Sequence, residues 1–119
     1  MNNCKLINFN EVNIDKSKYL RSDLRSLEMH KLIAKKILEK PELIQIAVGN
    51  IARWKIQNNF SQPYLDEWLS YINSGIIGLT DFMVCETGDG QRLRSSTPFP
   101  GILSDRERIE IFNRFKNEP

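Results

Sequence analysis

Apolar positions along this chain recur mainly at helical spacing, broken by prolines, glycines and short polar runs. From about Ser22 to Glu39, Leu24, Leu27, Leu32, Ile33 and Ile37 follow Leu20 near the spacing of one helix face. Lys40-Pro41 ends that helix, because the residue before a proline is pushed out of helical geometry. Pro41 then opens a second helix to about Gln57, with Glu42 at its positive end and Ile44, Val48, Ile51 and Ala52 as its stripe. Residues 58–62 read as a connection, and Pro63 opens a third helix carrying Leu65, Trp68, Leu69 and Ile72. Asn73-Ser74-Gly75 stops it, with Gly75 supplying the left-handed residue.

Residues 76–86 are almost wholly apolar and read as either a fully buried helix or a strand. The chain offers a strand almost no partner, which favours helix. Residues 87–90, Thr-Gly-Asp-Gly, read as a turn. Ser104 and Glu107 match a capping box at the start of a last helix, whose Ile109, Phe112 and Phe115 are expected to face inward. Residues 1–18 mix Asn and Lys with alternating apolar residues and read as an N-terminal arm, extended or disordered. The expected architecture is all-α: a compact bundle of about five helices over 19–119, with an ordered proline loop and that arm.

The loop carries the most information. Residues 92–103 combine Arg92 and Arg94, the hydroxyls Ser95, Ser96 and Thr97, and the apolar Phe99, Ile102 and Leu103 around Pro98 and Pro100. Two prolines prevent a continuous helix, while the apolar half must bury. The polar half is therefore expected to stand rigidly at the surface, able to grip a carboxylate, a phosphate or a partner protein.

Composition changes this picture little. The chain has 119 residues, 40% hydrophobic and 27% charged, the balance of a single soluble domain. A formal net charge of +2 is small for a domain that binds nucleic acid through charge. The first helix is nonetheless basic through Arg21, Arg25, Lys31, Lys35 and Lys36, and that face is the alternative candidate for nucleic-acid contact. Cys4 and Cys85 lie far apart without metal-ligand spacing and read as free thiols in a reducing cytoplasm. No signal peptide or membrane span is visible, so the expected location is cytoplasmic.

Candidate chemistry is thin. His30 is the sole histidine, and Glu28, two residues away, points elsewhere on a helix, so His30 reads as a surface or packing residue. The acids at 66–67 and 105–107 suit helix N-termini. Glu86 and Asp89 lie at a turn without a second ligand type, so neither a metal nor a cofactor is expected. Residues 87–91 lack the lysine and hydroxyl of a phosphate-binding loop. Trp54 and Trp68 are expected to anchor the core. The expectation is a protein that is not an enzyme.

Taken together, residues 25–38, the Asn-Ile-Ala-Arg-Trp of 50–54, the Leu-Asp-Glu-Trp-Leu of 65–69, residues 91–99 and the Gly-Ile-Leu of 101–103 carry a resemblance. They look like a group of small bacterial proteins associated with toxin–antitoxin-type gene pairs, whose partners include nucleotidyltransferase-like toxins. The resemblance spans roughly residues 25–115 and leaves the N-terminal arm outside it. It implies a binding function, with a cognate toxin as partner, and brings no enzymatic mechanism. On this reading Arg92, Arg94, Ser95, Ser96, Thr97 and Phe99 would meet the partner, and the arm would dock on it.

Overall fold

The computed structural model describes residues 21–57 and 62–116; the expected N-terminal arm lies outside these. Every regular element among the described residues is helical. They are α1 (Arg21–Glu39), a 3-10 turn (Pro41–Leu43), α2 (Ile44–Gln57), α3 (Pro63–Asn73), α4 (Ile76–Met83), α5 (Gly88–Arg94) and α6 (Asp105–Lys116).

The breaks fall where backbone chemistry puts them. Pro41 stands in the first turn of the 3-10 segment and Pro63 in that of α3, where a missing N–H costs nothing. Gly75 joins α3 to α4 with φ of 110°, a conformation that side chains with a Cβ rarely adopt. The capping box at α6 forms as expected. The Glu107 N–H donates to Ser104 Oγ at 3.1 Å, and the Ser104 N–H donates to Glu107 Oε1 at 2.8 Å. Residues 76–83 are helix, which settles the choice left open for that segment.

α1 is the hub, packing against α4, α5, α6 and the 3-10 turn. The core gathers Ile33 and Ile37 of α1, Ala47 and Ile51 of α2, and Leu65 and Trp68 of α3. Leu79, Phe82 and Met83 of α4, Leu93 of α5 and Ile111 of α6 complete it, together with Phe99, Ile102 and Leu103 of the loop. Trp68 lies at its centre, edge-on to both Phe82 and Phe99. Trp54 only packs against the outside of this cluster.

Three expectations need correction. Residues 88–94 form a sixth helix, not part of a turn and loop. Thr87 caps it by accepting from the Gly90 N–H at 3.1 Å, a start signal present in the sequence but masked by two glycines of low helix propensity. In α6 the fully buried residue is Ile111 and Phe115 packs against the core as expected, whereas Ile109 is 57% and Phe112 41% exposed. In α2 the buried positions are Ala47, Asn50 and Ile51, and Ala52 faces out. Both register errors come from counting apolar residues: α6 has more of them than its single contact line can cover.

Gly90 is required by a close approach. A Cβ there would sit 2.3 Å from the Cys85 carbonyl oxygen and 3.1 Å from Arg94 Nη1. Gly90→Ala is therefore expected to destabilise by roughly 2–3 kcal/mol, because backbone must move. Urea unfolding measures this, and an unchanged midpoint would show that the contact relaxes freely.

Candidate functional site

Residues 95–104 form a loop held from beneath by side chains that grip its backbone. Asn50 donates both amide hydrogens, to the Pro98 carbonyl at 2.9 Å and the Pro100 carbonyl at 3.0 Å, and accepts from Arg53. Trp68 Nε1 donates to the carbonyls of Leu93 at 3.1 Å and Ser96 at 3.2 Å. Lys36 Nζ donates to the Ile102 carbonyl at 3.1 Å and to Glu107 at 2.7 Å. Prolines leave their carbonyls without local partners, and buried carbonyls must be paired. These side chains supply the pairs, so the loop is rigid for a reason that lies in other helices.

His30 adds a fourth anchor. Its Nδ1 lies 2.8 Å from the Ser26 carbonyl, an acceptor only, so Nδ1 carries the proton. Nε2 is then the acceptor, and the Thr97 hydroxyl donates to it at 2.9 Å while accepting from the Phe99 N–H at 3.2 Å. The ring stacks on Trp68 and meets Phe99 edge-on. Burial lowers the pKa of His30 to about 4, opposed by the bond to Ser26 and reinforced by the charge of Arg94. His30 is a neutral packing residue, the role expected of a lone helical histidine.

Beside His30 the loop, α1 and Arg108 of α6 line an open cavity of about 320 Å³, with Ser26, Met29, His30, Thr97, Pro100 and Gly101 among its walls. It is mostly apolar, and Arg108 is its one charged lining residue. Neither Asn50 nor Arg108 was singled out from sequence. A lone Asn on an apolar helix stripe was the signal for the first; the second had none.

The expected partner-binding set divides. Arg94 is buried, donating to the carbonyls of Met83 at 3.2 Å and Cys85 at 2.6 Å, so it ties α4 to α5. Phe99 is core, and Thr97 serves His30. The Ser96 carbonyl accepts from Trp68, and the Ser95 hydroxyl turns back to the Arg92 carbonyl. Of the two arginines only Arg92 projects, at the rim of a second cleft of about 450 Å³, and Ser95 is exposed beside it. Its guanidinium pairs with both oxygens of Glu67, at 3.2 and 2.9 Å, and with Asp89 at 3.4 Å. The bond to Glu67 is the main cause of its raised pKa. The polar half is thus only partly at the surface: Arg92 and Ser95 are exposed, Ser96 and Thr97 half-buried, and Arg94 is turned into the core by α5.

The basic residues of α1 are also partly engaged. Lys31 pairs with Glu28 at 3.2 Å, Lys36 is bound as above, and Arg25 lies 4.2 Å over the ring of Phe112. Arg21 also has an interaction, and Lys35 is exposed, lining a shallow groove with Leu38 and Asp81. Cys85 is disulfide-bonded, which corrects the reading of a free thiol; Cys4 lies outside the described residues. No group of three potential metal ligands occurs among the described residues. No described helix is long and apolar enough to cross a membrane.

These features define an all-helical domain that holds a proline loop against a small apolar cavity. No family model, curated protein or solved structure matches the chain.

Proposed function

We propose that this is a non-enzymatic binding protein that acts by direct contact with a partner protein, as the antitoxin of a bacterial toxin–antitoxin pair. The observation that carries the binding reading is the outer face of α6. Ile109 and Phe112, one helical turn apart, remain 57% and 41% exposed, and Arg25 lies over the Phe112 ring. Neighbouring exposed apolar side chains with a polar rim are a common form of protein contact. His30, neutral and bonded at both nitrogens, is poorly placed to act as a general base. The antitoxin assignment itself comes from the resemblance over roughly residues 25–115.

Co-expression with the product of the adjacent gene, followed by pull-down and a growth assay, tests this. A stable complex that rescues growth is expected. Ile109→Asp with Phe112→Asp should weaken capture at least about tenfold while helicity persists. Capture unchanged in that variant removes α6 as the contact face, and absence of both complex and rescue removes the antitoxin reading.

A further inference from the structure

We propose that the cavity between α1 and the proline loop is a binding site for a small amphipathic carboxylate. Its apolar body would lie against Met29 and Pro100, over the buried edges of Ile33, Phe99 and Leu103, and its anionic head would meet Arg108 at the mouth. At about 320 Å³ the space falls at the small end of the range that encloses compact organic ligands.

The internal chemistry selects the body. The polar groups that reach the cavity, His30 and Thr97, already bond to one another and to the backbone of Ser26 and Phe99. No charge faces inward from them, so an ionised group placed deep would lose its hydration without compensation. An aliphatic or aromatic body loses nothing there.

The mouth selects the head. Arg108 is half exposed, and its recorded bond runs from Nη1 to Asp105 at 3.1 Å, a carboxylate itself 92% exposed one turn away. Such an exposed pair contributes little and is readily exchanged. A guanidinium offers five donors in a planar fork, which matches a carboxylate in two parallel bonds. A cationic head would instead be repelled.

The walls are set before any ligand arrives. Asn50 holds the carbonyls of Pro98 and Pro100, and Lys36 holds that of Ile102, so binding requires little ordering of the loop. Arg108 shares α6 with Ile109 and Phe112, so the test uses the isolated full chain without any partner, where binding at the cavity is read apart from the contact face.

Titration of the full-length protein with octanoate, read by calorimetry and by thermal unfolding, tests the assignment, with octylamine and octan-1-ol as controls. Saturable one-to-one binding of octanoate and a raised Tm are expected, with octylamine silent and octanol weaker. Arg108→Gln, a surface change that leaves the core intact, should lower octanoate affinity about tenfold and abolish the preference over octanol. Met29→Trp, which fills the cavity, should abolish binding of both. Absence of octanoate binding at millimolar concentration overturns the proposal. So does equal binding of octanoate and octylamine, or an Arg108→Gln protein that binds octanoate as tightly as the parent.

Discussion

Acidification from pH 6.5 to pH 4 is expected to remove about 3 kcal/mol of stability through His30 alone. Its folded pKa of about 4 lies below the ordinary 6.5, chiefly because burial disfavours the imidazolium. Between those values the unfolded chain binds a proton that the folded chain does not, so stability falls as pH falls through this window. It is level above about 6.5. Protonation would also turn Nε2 from acceptor to donor, so the Thr97 hydroxyl would have to rotate and accept from the ring, leaving its own proton without that partner. Urea midpoints measured at intervals from pH 7.5 to 4.5 read this slope directly. In His30→Gln the slope over that range should vanish, whatever the variant's absolute stability. Glu107 is separable, because Lys36 and the Ser104 N–H hold its carboxyl below its usual 4.5 and its contribution fades at lower pH. A parent protein equally stable at pH 7 and 4.5 would refute the assignment of His30 as the acid-sensitive group.

Arg94→Ala is expected to cost about 4 kcal/mol, enough to lower Tm by roughly 15 °C. The side chain is buried and donates to the carbonyls of Met83 and Cys85, at the end of α4 and the link to α5. Removing it leaves two buried acceptors without their charged donor and opens space behind α5. Arg94→Lys should recover only part of the loss, since both bonds come from Nη1 and a lysine ammonium ends one atom short of it on a more flexible stem. Arg92→Ala is the contrast. Arg92 is exposed and paired with Glu67 and Asp89 in solvent, so its loss should change stability by no more than about 0.5 kcal/mol. Thermal unfolding monitored by circular dichroism measures both. Equal effects of the two variants would show that Arg94 is not the tie between α4 and α5.

Two arginines only two residues apart thus differ in role, and nothing local distinguishes them. On a helix, positions 92 and 94 point in directions roughly 200° apart. Once residues 88–94 are helical, one must face solvent while the other faces the core. The error over the polar half of the loop followed from missing that helix, which two glycines disguised. Gly90 is required by tertiary packing, where the chain passes too close to the Cys85 carbonyl for any side chain.

What the sequence determined by itself was the helical class and most of its punctuation. Pro41 and Pro63, the positive φ of Gly75 and the Ser104–Glu107 box act within a few residues and need no distant partner. The stripes of α1 and α3 were legible for a related reason: Leu27, Ile33 and Ile37, and Leu65 and Trp68, repeat over enough turns to define a face. Tertiary structure alone decided which apolar residues of α6 are covered, where Arg94 points, and which cavity Arg108 guards. Each of those outcomes depends on groups far along the chain. Asn50, His30 and Trp68 hold carbonyls and hydroxyls 25 to 67 residues away, and the loop owes its rigidity to them. Local propensity falls silent at that range, because a buried carbonyl accepts a hydrogen from whichever donor the packed helices bring to it.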